Sequence, residues 1–176
     1  YGFGGSDIWL FKTGPSGLIE WNSYLGTSNN AHGGQVIETP DGGFAVIGDR
    51  DLLGNGNSDI WLIKTNSQGD SVWTRSFGGT ESEHGYDIIL NEDGGFTLLG
   101  STQSVGNGGS DIWLINTDAN GNEQWSQSYG DASNDVGHSM LHTYDSGYLI
   151  RSNIQSFGDG NTATGLLRVG SNGEEI

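Results

Sequence analysis

Histidines at repeating positions are the residues whose type and spacing first indicate chemistry. His32 and His84 are 52 residues apart, and the same step leads to Val136, with His138 two residues later. A ring of histidines around a channel would suit metal binding or proton transfer, since histidine changes its charge near neutral pH. The departure at Val136 argues against a symmetric metal site, so we favour structural histidines that bond to a neighbouring loop. His142 has no counterpart histidine and is interpreted as a strand residue.

Aspartates in glycine-rich loops form a second candidate set, for calcium. The aspartate of a repeated "SDIW" motif occurs as Asp7, Asp59 and Asp111, and the "GNGNSD" and "GDGN" loops offer the oxygen ligands that calcium prefers. Calcium takes about six to eight oxygens, and each loop has few charged ones. We therefore favour hydrogen bonds from these aspartates to loop amides. Calcium stays an alternative, with Asp59, Asp111 and Asp159 as its candidate ligands, and no other cofactor is predicted.

Charge and composition exclude several classes of partner. Six Lys and Arg residues stand against 22 Asp and Glu residues, which gives a formal net charge of −16. No basic stripe is present that could bind nucleic acid, and anionic lipid headgroups would repel this surface. No apolar run approaches the roughly 20 residues that span a bilayer, so membrane insertion is not predicted. The acidic, lysine-poor surface favours an extracellular or cell-surface location, and the absence of cysteine permits secretion.

An internal repeat of 52 residues organises the whole chain. It relates Trp9, Trp61 and Trp113, and it also relates Trp21, Trp73 and Trp125. Three ungapped copies follow, at residues 6–57, 58–109 and 110–161, with a partial fourth at 162–176. Because the tryptophans recur at fixed places in every copy, we predict that they pack between repeats rather than bind sugars.

Each copy is predicted to form four short antiparallel strands. In the second copy these are "HGYDIILN", "GFTLLG", "SDIWLIKT" and "SVWTRSFG", which we call repeat strands A, B, C and D. β-Branched and aromatic runs alternate with Gly, Asn, Asp and Ser clusters, and the A–B and C–D connections have the glycine of tight hairpins. Four-stranded units of about 50 residues are typical of β-propeller blades. We therefore predict an all-β propeller with about 3.5 blades.

The pattern "DGGF…GNGGSDIWLI" resembles the glycine-rich propeller repeats of secreted and cell-surface proteins of bacteria and archaea. The similarity covers essentially the whole chain and implies a fold rather than a function. A closed ring needs about four blades or more, and unpaired strand edges seek partners. Residues 1–176 are therefore expected to form a single partial propeller, completed by the remainder of a longer chain or, as the second alternative, by self-association.

Function is predicted at the face that combines the long D–A and B–C loops, because loops contain binding residues more often than strands do. The main prediction is a non-catalytic extracellular binding or scaffold module for a glycan or a surface protein. No nucleophile elbow, phosphate-binding loop or zinc-spaced His/Glu motif occurs in the sequence. The candidate ligand-face residues are His32, Asp49, Asp51, Glu81, Glu83 and Asp135.

The alternative is a carbohydrate-active propeller enzyme such as a polysaccharide lyase, with His84, Tyr86 or His138 as base or acid near the channel mouth. A lyase that cleaves an anionic polymer must neutralise its uronate groups. The candidate face offers Arg50 and little other positive charge, so electrostatics favours the binding module.

Overall fold

The computed structural model describes residues 5–53, 57–155 and 162–176, and these residues form strands and turns without an α-helix. None of them belongs to a helix long and apolar enough to cross a membrane. The strands are β1 (Ile8–Thr13), β2 (Ile19–Leu25), β3 (Ala31–Glu38), β4 (Phe44–Arg50), β5 (Asp59–Thr65), β6 (Ser71–Phe77), β7 (Glu83–Leu90), β8 (Phe96–Thr102), β9 (Asp111–Thr117), β10 (Glu123–Tyr129), β11 (Asp135–His142), β12 (Tyr148–Ile154) and β13 (Ala163–Val169).

The strands pair in chain order into four antiparallel sheets. The first sheet contains β1 and β2, the second β3 to β6, the third β7 to β10 and the fourth β11 to β13. The second and third sheets thus contain repeat strands A, B, C and D in order. The prediction of an all-β, antiparallel structure is confirmed, and the described residues form no closed ring of sheets.

Tight hairpins join repeat strands A and B at one end of the second, third and fourth sheets. Gly42 and Gly94 occupy the same turn position with φ of 77° and 85°, a conformation that glycine adopts without steric cost. The third copy has Ser146 at this position, with φ of 64°. The turn geometry is therefore the same in all three copies, although one of them lacks the glycine that favours it.

The hydrophobic core consists of clusters between successive sheets. Trp61 on β5 packs in one cluster with Ile8, Leu10 and Leu25 of the first sheet. Trp113 occupies the same position one sheet later, in a cluster that includes Ile60 of the second sheet. Each of these sheets therefore presents a tryptophan to the isoleucine and leucine face of the sheet before it, so the core is repeated along the chain as the sequence is.

The repeated tryptophans differ in burial. Trp61 and Trp113 are 4% and 6% exposed, whereas Trp9 is 50% exposed. Trp9 lies on the first sheet, against which no earlier described sheet packs, and its ring contacts Phe11 and Tyr24 on the same open face. The prediction that every tryptophan packs between repeats is therefore wrong for Trp9, because burial at this position depends on a preceding sheet.

Candidate functional site

The D–A and B–C loops meet at one end of the sheets, which we call the loop end. The amide of Glu83 donates to the carbonyl of Ser58 at 2.6 Å, and the amide of Gln103 donates to the carbonyl of Ser82 at 3.1 Å. The first bond joins the beginning of strand C in the second sheet to the beginning of strand A in the third, and the second bond joins the end of strand B to the beginning of strand A within the third sheet. The sequence-predicted loops are thereby gathered at a single end of the molecule.

Two histidines from successive sheets share one carboxylate at this end. His32 on β3 places Nδ1 3.2 Å from Oδ1 of Asp49, and His84 on β7 places Nδ1 3.2 Å from Oδ2 of the same residue. Asp49 is buried, while both histidine side chains are substantially exposed. Asp49 therefore orients both imidazoles and couples the second sheet to the third. When an Nδ1–H donates to a carboxylate, the Nε2 of a neutral imidazole remains an acceptor.

The environments of His84 and His138 shift their pKa values in opposite directions. The hydrogen bond to Asp49 raises the pKa of His84 above its ordinary value, against the opposing effect of burial. Burial lowers the pKa of His138, and the charge of Arg151 lowers it further. The Nε2 atom of His138 is buried and makes no hydrogen bond within the described part of the chain. Compared with an ordinary histidine, His84 is thus protonated more readily and His138 less readily.

Tyr86 lies between these two histidines. Its ring centroid is 6.5 Å from that of His84 and 6.0 Å from that of His138, and its hydroxyl is 3.3 Å from Oγ of Ser101. The structure therefore brings the alternative catalytic residues into one row across β7 and β11. The row offers an oriented base beside a phenol, which is an arrangement capable of general acid–base chemistry.

Glu83 and Asp135 face inward and brace the loops. Glu83 is fully buried and accepts hydrogen bonds from the amide of Gly79 and the hydroxyl of Thr102, both at 2.9 Å. Asp135 is also buried and accepts one from the amide of Gln155 at 2.9 Å. Direct ligand contact is therefore not expected from these two carboxylates, in contrast to their selection as ligand-face candidates. Their burial follows from the need of loop amides for acceptors.

The remaining ligand-face candidates differ in exposure. Asp51 is buried at the start of a B–C loop, whereas Glu81 is exposed in a D–A loop. The amide of Glu81 donates to Oγ of Ser104 at 3.0 Å, which ties this D–A loop to the next B–C loop. His32 and Glu81 are consequently the candidates best placed to meet a ligand at the loop end.

The aspartates of the "SDIW" motif contact the loops. Asp111 is buried and accepts a hydrogen bond from the amide of Asn107 at 2.9 Å, as the loop-amide interpretation predicts. Burial raises the pKa of Asp111, with a further contribution from Asp135 and Asp131. The described residues include no group of three or more His, Cys, Asp or Glu that could hold a metal ion. Asp159 lies outside the described residues, and calcium binding stays a prediction.

Glycines at the end of repeat strand D explain how these aspartates fit. A Cβ atom at Gly78 would collide with the carboxylates of Asp59 and Glu83, and one at Gly130 would collide with that of Asp111. Burial, and then the charge of Glu83, raises the pKa of Asp59. The sequence did not predict that these glycines make room for the carboxylates. The 52-residue spacing of Gly78 and Gly130 is the feature that could have indicated it.

The fold and the loop end define an all-β repeat protein whose sheets pack in series. No protein-family model matches the chain. An alignment of 118 positions, which covers 58% of this chain, shows 30% identity to the regulatory protein FlaEY of Caulobacter vibrioides. The match spans only 12% of the length of FlaEY.

A solved structure shares the fold. The crystal structure of a protein of unknown function from Bacteroides caccae aligns with 97% of this chain at a TM-score of 0.57 and 9% sequence identity. The alignment spans 57% of the Bacteroides chain. At this identity the similarity concerns the fold alone.

Proposed function

We propose that this chain is a non-catalytic binding module of the β-propeller class, in which each antiparallel sheet is one blade. Three observations support the architecture: the 52-residue repeat, the A-B-C-D strand order of the second and third sheets, and the equivalent packing of Trp61 and Trp113 between sheets. Together they support the proposal of blades arranged in series around an axis.

The observation that most supports binding is the bracing of the loop end. Buried carboxylates such as Glu83 fix the loop backbones, and exposed polar side chains such as His32 and Glu81 remain at the surface. A preorganised polar surface loses little conformational freedom when it binds a ligand. With a net charge of −16, a neutral glycan or a cationic surface protein is the favoured partner, and the proposed location is extracellular or at the cell surface.

A glycan and polysaccharide array tests this function when it is probed in the presence of calcium and again with a chelator. The array is scored for bound protein and for newly formed unsaturated products. We expect binding without products, and weaker binding after His32→Ala or Glu81→Ala. Lys12→Ala, at an exposed site on the first sheet, is the control that should bind normally. Binding that neither loop-end substitution changes would contradict the proposal.

A carbohydrate-active enzyme, such as a polysaccharide lyase, is the second candidate. It is favoured by the contact of His84 with Asp49 and by the nearby Tyr86. Uronate substrates need positive charge, which on this face comes mainly from Arg50. Arg50 already donates to Oγ of Ser76 at 3.0 Å, and its guanidinium lies over a tryptophan ring, so this charge is engaged within the protein. Formation of unsaturated products, lost on His84→Ala, would favour the enzyme over the binding module.

We also propose that the open face of the first sheet is covered by another sheet of the same repeat. Trp9, Phe11 and Tyr24 form this face, and the equivalent Trp61 is buried by such a neighbour. The remainder of a longer chain is the favoured source, and a second copy is the alternative. Light scattering tests the alternative, because residues 1–176 that remain monomeric at every concentration would exclude a second copy.

A further inference from the structure

A cleft of about 700 Å³ lies between the third and fourth sheets, at the end of the molecule opposite the loop end. We call it the hairpin-end cleft. It lies beside the A–B hairpins, and Trp125 on β10, Tyr148 on β12 and Tyr144 in the β11–β12 hairpin are among its lining residues. Its volume falls within the range of about 300–1,000 Å³ that is typical of small-molecule sites. The sequence-predicted face does not include it.

The aromatic side chains of the cleft form a floor and a rim. Tyr148 is buried, and its hydroxyl is 2.9 Å from Oγ1 of Thr97. Its ring lies 6.5 Å from that of Trp125 and 5.1 Å from that of His142. Tyr144 is fully exposed at the rim. An exposed ring beside polar groups offers an apolar surface together with hydrogen-bonding partners, which is the combination that the C–H face and hydroxyls of a sugar ring require.

The third sheet lacks a lysine that the second sheet has at the corresponding corner. In the second sheet, Lys64 bonds the carboxylate of Asp41 at 2.8 Å and the carbonyl of Thr65 at 2.8 Å. The equivalent residues of the third sheet are Asn116 and Asp93, and both line the cleft. The Asn116 amide instead donates to a threonine hydroxyl at 3.1 Å. The long lysine side chain that contacts Asp41 is therefore replaced beside Asp93 by the shorter side chain of Asn116.

The hairpin at the rim also departs from the repeat. Ser146 lines the cleft, and it is the one non-glycine residue with positive φ in the described ranges, at 64°. Gly42 and Gly94 hold the same turn position without strain. Strained residues concentrate at functional sites, where the local cost is offset elsewhere. A serine hydroxyl is thus placed at the cleft wall by a conformation that glycine would adopt more easily.

We propose that the hairpin-end cleft binds a neutral saccharide unit of a glycan. The sugar ring stacks on Tyr144, and its hydroxyls bond Asn116, Asp93 and Ser146. Anionic sugars are disfavoured because Glu92 and Asp93 line the cleft and no lysine or arginine of the described residues does so. Carboxylate and amide oxygens accept hydrogen bonds from sugar hydroxyls. This site is independent of ligand binding at the loop end.

The test uses the intact chain and isothermal titration calorimetry with gluco-, manno-, galacto- and xylo-oligosaccharides. Asn116→Lys introduces the lysine that the first two copies have at this position, and we expect it to fill the open corner and weaken binding by about tenfold or more. Tyr144→Ala should weaken binding to a similar degree by removing the stacking surface. Tyr24→Ala truncates an exposed tyrosine on the first sheet and serves as the matched control. Its binding should equal that of the unsubstituted chain.

Several outcomes separate this site from its alternatives. Oligosaccharide binding that is lost on His32→Ala but kept by Tyr144→Ala would assign the binding to the loop end and overturn this site. Spermidine and oligouronates are titrated in parallel, and a preference for either would overturn the neutral-saccharide assignment. An absence of binding to every neutral oligosaccharide would overturn it as well. Thermal melting of each variant, expected to be unchanged for Tyr144→Ala because its side chain is exposed, shows that the fold is intact.

Discussion

Replacing Trp113 and Trp9 with alanine, one at a time, compares a single repeat position in two environments. Trp113 is 6% exposed and Trp9 is 50% exposed. On a side chain that buries about 150–250 Å², this difference is about 100 Å², which corresponds to roughly 2–3 kcal/mol at about 25 cal/mol per Å². Truncation of a buried aromatic residue costs about 3–5 kcal/mol. We therefore expect a loss of about 3–5 kcal/mol for Trp113→Ala and about 1–2 kcal/mol for Trp9→Ala.

Urea unfolding followed by far-ultraviolet circular dichroism measures both losses, because its signal comes mainly from the backbone of the strands and does not depend on the fluorescence of the tryptophans that are removed. The dependence of the unfolding free energy on urea should stay constant among the variants, so that shifts in midpoint report stability. Trp61→Ala is the internal control and should match Trp113→Ala, since both rings pack between two sheets. Equal losses for Trp9 and Trp113, or a loss below about 1 kcal/mol for Trp113, would refute the packing argument.

Three further predictions concern the two ends of the molecule. NMR titration should give His84 a pKa above the ordinary histidine value and His138 a pKa below it, and Asp49→Asn should lower the pKa of His84; equal values would contradict the site geometry. The raised pKa means that His84 stabilises the fold below about pH 6.5, and this contribution is lost as the pH rises through the folded-state pKa of His84. The lowered pKa of His138 has the opposite effect, so the fold loses stability as the pH falls below about 6.5. Gly78→Ala should lower stability by about 1–3 kcal/mol in urea unfolding, because the added methyl group collides with two carboxylates, and an unchanged midpoint would show that they move aside. Ser146→Gly should raise stability by about 0.5–1 kcal/mol by relieving positive-φ strain, and a lower melting temperature would contradict that account.

The strands could be predicted from the sequence because each is specified locally. β5 (Asp59–Thr65) and β8 (Phe96–Thr102) correspond to the apolar runs "DIWLIKT" and "FTLLGST", bounded by turn residues. Turn chemistry and residue type act over a few neighbours and recur in every copy. The exposure of Trp9 could not be predicted in this way. It depends on whether another sheet covers it, which is a property of the surroundings and not of the repeat.

The candidate site was predictable only in part, because its contacts cross between sheets. The spacing of His32 and His84 placed both at the start of repeat strand A. That they share Asp49 follows from strand register and from the approach of β3 to β7, neither of which a periodic pattern specifies. The inward orientation of Glu83 has the same origin, since it is determined by the amides of loops that fold over it.

Departures from the repeat are less constrained by packing than the repeated residues are. A residue present in every copy, such as the aspartate of "SDIW", is explained by what each sheet needs in order to pack and to close its loops. A residue that differs among copies is not fixed by that need, and two groups of differences coincide with structural features. Gly34, Tyr86 and His138 are equivalent positions at the loop end, and Lys64 and Asn116 are equivalent positions at the hairpin end. Because the fold tolerates each alternative at these places, packing does not determine the side chains there, and we expect them to be available for ligands.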